Sequence, residues 1–443
     1  MTDRAKNRIR SEQKSLGTLS KRCCAPLASA KPCSVEQKRT ENMRQVEQCA
    51  SGLIDVIDMF SGCGGMSTGF MSINGDSPVF RLAGAVDIDD VANRTYELNL
   101  GIKPIQADIG QLARQSSLLD GMIEQVRPDN RRPLVLIGCA PCQGFSSHRN
   151  EAGPSDPRNS LFVDFARIAA RLRPAAIVVE NVPELLTYRY WPIVTRAREI
   201  LRRAGYYVHV GVHNMAEFGV PQERFRALIL AMPKKFRAPS KLLTRSEFLT
   251  VRDAIGSLPP IRAGENHPSD PMHYTAGHRP STVETIMAVP ADGGNRPDHV
   301  GPECLRRAKE RSGRAAYEDV YGRLYWDRPA ITITAYARNP ASGRYAHPEQ
   351  HRGLSVREAA LLQSFPRNYQ FTGTLDERFR QIGNAVPPVF AANLARHVVR
   401  ELLSDTKVER FDEGILEPVG PSFSRLIPGL KSGNRKEFSN FGS

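Results

Sequence analysis

A thiol, a carboxylate and two guanidiniums each stand beside a short apolar run in this chain, a set suited to nucleophilic catalysis. The run Leu134-Val-Leu-Ile-Gly138 reads as a buried strand that stops abruptly at Cys139-Ala140-Pro141-Cys142. In an open α/β sheet, the carboxyl end of a strand is where ligands bind and chemistry is done. Cys142 can be a nucleophile, half of a redox Cys-x-x-Cys with Cys139, or a structural thiol. The redox reading lacks a thioredoxin-length fold around the motif, so the nucleophile is preferred. The polar stretch Gln143–Arg149 reads as a mobile loop able to close over a substrate.

A second apolar run, Ala176-Ile-Val-Val, ends at Glu180. A carboxyl in an apolar site has its pKa pushed up and can donate a proton near neutrality, although a helix N-terminal acid would also suit this position. Arg224 and Arg226 lead into a third run, Ala227–Leu230. Two apart on a strand, they would share a face and could hold a carbonyl oxygen, a phosphate or the acid itself, with a surface salt bridge as the plain alternative.

The strand-like Asp55–Phe60 runs into Ser61-Gly62-Cys63-Gly64-Gly65, a turn that lets a ligand approach the backbone and a helix N-terminus. Asp87 ends the next apolar segment, where an acid commonly grips ribose hydroxyls, and Asp108 ends a third. Together these outline a nucleoside pocket. The missing Gly-Lys-Ser/Thr argues against a triphosphate.

These sites require an alternation of strands and helices, hence a mostly parallel sheet, over about 51–232. After Pro233 the texture turns loop-rich, and Ala330–Ala335 is the only clear strand to about 350. Order returns at Ser355, whose spacing to Glu358 suits a capping box, and a last helix runs to about Leu403. Residues 1–50 read as a basic, disordered arm in which Cys23, Cys24, Cys33 and Cys49 lack paired zinc spacing, and 404–443 as a flexible tail. The chain of 443 residues has room for a large α/β domain and a smaller second one, and its net charge of +14 favours a polyanionic partner, nucleic acid first. No apolar stretch approaches the ~20 residues of a membrane span. The eight cysteines form no compact framework, which suggests a reducing, intracellular setting.

Taken in order, these motifs closely resemble the cytosine-5 DNA methyltransferase family of bacterial restriction-modification type. The likeness covers roughly Ile54 to Val399, leaving about 233–330 unmatched. It rests on Phe60–Gly65, Pro141-Cys142-Gln143, Glu180-Asn181-Val182, Gln222-x-Arg224-x-Arg226, Arg357–Pro366 and Gly383-Asn384-Ala385-Val386. Cys139-Ala140 depart from the small or proline residues usual before Pro-Cys, with no expected consequence.

The resemblance implies a Rossmann-like methyltransferase sheet with a smaller loop-rich recognition domain at about 233–350, and 351–403 returning to the catalytic domain. It implies S-adenosyl-L-methionine as cofactor, held by Asp58, Phe60, Gly62, Gly64, Gly65, Asp87, Ile88, Asp108, Pro141, Asn384, Ala385 and Val386, and no metal. Cys142 would attack carbon 6 of a cytosine flipped out of double-stranded DNA, Glu180 would protonate ring nitrogen 3, and Arg226 with Arg224 would hold the ring carbonyl. A monomer in the bacterial cytoplasm, associated with the nucleoid, is expected, with a cognate restriction endonuclease as a possible companion. A transfer-RNA methyltransferase of the same fold, a catalytically silent DNA-binding relative and a thiol-disulfide oxidoreductase are the rival functions.

Overall fold

The computed structural model describes residues 53–129, 132–141, 160–312 and 319–423, side chains of 308–312 excepted. They belong to one compact unit, Glu41–Ser443, with Met1–Thr40 a second unit outside the described residues. The expected N-terminal arm and its four cysteines therefore lie outside the described residues.

The apolar runs become the inner strands of a seven-stranded sheet. Strands β1 (Ile54–Met59), β2 (Phe80–Asp87), β3 (Ile105–Gln106), β4 (Leu134–Gly138) and β5 (Ala176–Asn181) pair in parallel. β1, β4 and β5 are buried along their whole lengths, as strands rich in Val, Ile and Leu are when both faces of the sheet are covered. β6 (Tyr207–Asn214), β7 (Gln222–Glu223) and β8 (Phe225–Met232) follow. β8 inserts antiparallel between β5 and β6, giving the order β3-β2-β1-β4-β5-β8-β6. The order reverses between β1 and β4, and at such a switch point the strand ends splay to leave a crevice.

Helices α1 (Gly65–Met71), α2 (Asp90–Leu100), α3 (Ile109–Arg114), α4 (Ser116–Val126), α5 (Ser160–Leu172) and α6 (Trp191–Arg203) connect the strands. The second half adds α7 (Val251–Ile255), α8 (Pro280–Met287), α9 (Glu303–Ser312), α10 (Val356–Leu362), α11 (Leu375–Asn384) and α12 (Pro388–Leu403). One core layer joins Phe165, Ile168, Val194 and Leu201 of α5 and α6 to Leu136, Ile177 and Ile229 of the sheet. The opposite layer joins Met66 and Phe70 of α1 to Phe390, Leu394 and Val398 of α12, over Val56, Val135 and Val178.

The loop-rich second half has a core of its own, built from Val251, Met272, Trp326, Ile333 and Tyr345. Of Ala330–Ala335 only Ala330–Ile331 (β9) forms a strand, and it pairs in parallel with β7. The resemblance implies that 351–403 returns to the catalytic domain, and in the structure the segment divides. Leu354, Val356, Phe365, Phe371, Phe379 and Ile382 complete the second module's core, and α12 alone covers the main sheet. A helical period shows that a face is apolar without saying which core takes it.

Ser355 and Glu358 form the expected capping box, with each side chain bonded to the other residue's backbone N–H. Both oxygens of the buried Glu358 also accept from Arg352, at 2.7 Å each. Burial raises the carboxyl, but Arg352 outweighs it and holds Glu358 at about 2. A depressed carboxyl adds stability above its unfolded value, here 4.5, and loses it as the pH falls through about 2. Arg352→Met should therefore cost about 3–5 kcal/mol at neutral pH by stranding a buried charge. Denaturant titrations at neutral pH and near pH 3 should show the penalty shrinking in acid. An equal loss at both would mean that the ion pair is not its source.

The expected flexible tail is not free over its first half. Gly414 bridges to Val210 on the outer strand β6, with Val210 N–H donating to Glu413 at 3.1 Å and Ile415 N–H to Val210 at 2.8 Å. Glu413 pairs with Arg198 of α6, and Val419 and Phe423 are buried in the sheet's core. Its glycines, prolines and charges suggested disorder, but a few apolar side chains and one bridge fix it to the sheet edge. Residues 424–443 lie outside the described residues.

Candidate active site and cofactor cavity

At the switch point a cavity of about 610 Å³ opens between the ends of β1, β2 and β4 and the end of α11 with the turn that follows it. Asp58, Phe60, Gly62, Gly65, Asp87, Ile88, Asp108, Pro141, Asn384, Ala385 and Val386 line it. Of the expected cofactor residues only Gly64 does not. Its φ of 91° ends the turn at the N-terminus of α1, and a Cβ there would lie 2.8 Å from Leu100 Cδ1. Gly64 shapes the turn from behind.

Backbone strain and close approach build the wall. Phe60 holds a φ of 62°, uncommon for a bulky residue, where the chain swings from strand to loop. A Cβ on Gly65 would lie 2.3 Å from the carbonyl oxygen of Val386, so only glycine lets these two segments, distant in sequence, meet here. Asp87 accepts from the N–H groups of Gly62 at 2.7 Å and Asp89 at 2.9 Å. Burial pushes its carboxyl up while those donors pull it down. Burial also raises Asp58 to about 7; it accepts from Ser67 Oγ at 2.6 Å and Asp87 lies near it. Asp108 caps α3, accepting from Gly110 N–H at 2.6 Å. Ile88 is 66% exposed, an apolar flank at the cavity rim. Ala107, Ile109, Leu161 and Gln381 line the cavity too and were not anticipated. None ends a strand in a charged group, which was the signal the sequence offered.

Glu180 is the penultimate residue of β5 and is 3% exposed. Its environment is less apolar than its flanking sequence suggests. Oε1 lies 3.1 Å from Nε of Arg226, and Oε2 accepts from the thiol of Cys139 at 3.1 Å. Asn181 donates to the carbonyl of Ala140 at 3.0 Å, tying the end of β4 to β5 just before Pro141. Cys142, the expected nucleophile, lies outside the described residues, as does the loop to Arg149.

Arg224 does not share the face of Arg226. It falls between β7 and β8, is 2% exposed, and donates to the carbonyls of Ile333 and Gly383 at 3.0 Å and of Ala385 at 3.3 Å. Gln222 donates to Leu362 O at 2.8 Å, and Gln363 to Ile382 O at 3.0 Å and Ala385 O at 2.7 Å. Arg224 thus belongs to a buried network that pins the Asn384–Val386 side of the cavity. Strand periodicity fails to foresee this because the strand breaks at Arg224 itself.

Among the described residues no cluster of His, Cys, Asp and Glu could hold a metal, and no helix is long and apolar enough to cross a membrane.

Comparison with known proteins agrees with this geometry. The Type II methylase M.HgiDII of Herpetosiphon aurantiacus is 34% identical over 358 residues, 78% of this chain and 95% of that protein. The Type II methyltransferase M1.HphI of Haemophilus parahaemolyticus is 34% identical over 349 residues, 78% of this chain and 86% of its own. Among solved structures, a prophage-encoded protein of E. coli described as a DNA modification methyltransferase superposes with a TM-score of 0.56 at 25% identity, covering 79% of this chain and all of that one. The family model for the C-5 cytosine-specific DNA methylase matches residues 54–400, from the first residue of β1 almost to the end of α12, and the chain belongs to that family.

Proposed function

We propose that the cavity binds S-adenosyl-L-methionine and that Cys142, Glu180 and Arg226 methylate carbon 5 of a cytosine flipped out of duplex DNA. The observation that carries this reading is the pair of buried Glu180 and half-buried Arg226, 3.1 Å apart and joined through Cys139 to the cavity wall. The cavity suits a nucleoside: an acid bridged to the glycine turn stands beside an exposed isoleucine, and the Gly65–Val386 contact closes one side. When bound, the cofactor supplies an electrophilic methyl group on a sulfonium.

Carbon 5 of cytosine is a poor nucleophile within an aromatic ring. The Cys142 thiolate forms a bond to carbon 6 and makes carbon 5 enamine-like, while Glu180 shares a proton with ring nitrogen 3. Arg226 Nη1 is held by the carbonyl of Phe225 at 2.7 Å and Nε faces Glu180, which leaves Nη2 for the ring's carbonyl oxygen. After a base removes the carbon 5 proton, the bond from Cys142 to carbon 6 breaks and restores the ring. The base must leave the stack for the thiol to reach its face.

The loop-rich module at about 233–350 is the part we assign to reading the sequence, since base edges are legible only to what faces the groove. Arg224 takes a positioning role in this scheme. A monomer acting in the bacterial cytoplasm alongside a cognate endonuclease completes the reading.

Labelled cofactor offered with duplex DNA or transfer RNA tests it. Label should enter duplex DNA alone and, by bisulfite sequencing, at cytosines of one short motif. Label only in transfer RNA would overturn the proposal. Asp87→Ala should weaken cofactor binding by about 1–3 kcal/mol in calorimetry, the scale of a lost charged hydrogen bond. Unchanged affinity would remove Asp87 from the pocket.

A further inference from the structure

Of the two residues that depart from the family pattern before Pro141-Cys142, Cys139 and Ala140, only Cys139 carries a hydrogen-bond donor in its side chain. A residue such as glycine there has no side chain to offer, whereas Cys139 does. Its Sγ lies 3.1 Å from Oε2 of Glu180 while the residue also lines the cavity. The two oxygens of Glu180 are consequently unlike. Oε2 holds the thiol's hydrogen bond. Oε1 is buried, lies beside Arg226 Nε, and makes no hydrogen bond among the described residues.

We propose that Cys139 is a positioning residue that holds Oε2 of Glu180 and so turns Oε1, the oxygen beside Arg226, toward the target base. The inference rests on Glu180 being the acid that meets the ring. A carboxyl pinned at one oxygen is held in orientation, and a base entering beside Arg226 meets Oε1, which carries the ion pair to that guanidinium but no hydrogen bond among the described residues. The thiol suits this task because S–H is a weak donor: it orients the carboxyl without binding it as tightly as a hydroxyl or guanidinium would. Its proton stays on sulfur throughout, so no step of the reaction passes through Cys139.

The test is a set of single-turnover rates with saturating DNA and cofactor. Cys139→Ala should slow methylation about three- to tenfold, the scale of one weak hydrogen bond to a carboxylate. KM for DNA and calorimetric affinity for the cofactor should not change. Cys139→Ser, which keeps a donor in nearly the same volume, should restore most of the rate. In a Glu180→Gln background the alanine change should add nothing further, because both act on one group.

A serine variant as slow as alanine would overturn the proposal. So would an alanine loss that simply adds to that of Glu180→Gln, or a loss confined to cofactor affinity, which would make Cys139 a wall of the cavity. Full activity in Glu180→Gln alone would instead defeat the assignment of Glu180, a result distinct from any of these.

Discussion

Cys142→Ala is expected to leave no measurable methyl transfer while cofactor affinity stays at the wild-type level. The two properties separate because they depend on different atoms. The cavity is walled by residues at the ends of β1, β2 and β4 and by α11 with the Ala385–Val386 turn, with no described contact requiring the Cys142 thiol. The reaction does require it: without addition at carbon 6, carbon 5 keeps its aromatic electron distribution and has no lone-pair character to offer the methyl group. DNA binding should persist, since flipping needs no covalent bond. Duplex DNA carrying 5-fluorocytosine at the target should form an adduct with the wild type that survives denaturation and should form none with the variant. Turnover by the alanine protein, or an adduct traced by peptide mapping to Cys139, would sink the assignment.

Glu180→Gln should lower the single-turnover rate by roughly 10²–10⁴ with DNA affinity nearly constant, the span usual for a lost general acid. Glutamine keeps the shape and an acceptor oxygen for Cys139, so the burial at the end of β5 is undisturbed. It removes the proton that ring nitrogen 3 takes up as charge develops. It also removes the charge opposite Arg226, whose guanidinium at 3.1 Å then faces a neutral amide. A rate within a few fold of wild type would mean that another group protonates the ring.

What could be read in the chain beforehand follows physical range. The apolar runs of β4 and β5, and β1 with its two aspartates, are local facts, so the fold class was legible, while the reaction centre stays a proposal because Cys142 lies outside the described residues. The glycine turn was legible as a turn, but not the difference between its glycines. That Gly65 meets Val386 while Gly64 is backed by Leu100 depends on residues far away in sequence. Arg224 failed for the same reason, because its partners Ile333, Gly383 and Ala385 come from the other half of the molecule. The segment at 404–423 was misjudged from composition, which registers prolines and charges but not the fit of Val419 and Phe423 into a core. Cys139 stood in plain view, and only the approach of β5 to β4 gave its thiol a carboxylate to hold.

The pairing of α1 with α12 across one face of the sheet has a consequence for how this protein is born. Met66 and Phe70 leave the ribosome long before the side chains that cover them, Phe390 and Leu394. At about 5–20 residues per second, that gap of roughly 300 residues leaves the nascent chain with an uncovered apolar face for some tens of seconds. During that time the cavity also lacks its Asn384–Val386 wall, so an unfinished chain holds neither a closed core nor a complete cofactor site. Chaperones that bind exposed apolar segments therefore have a long opportunity at α1, and a chain broken off before α12 would be marked for degradation by the helix it leaves uncovered.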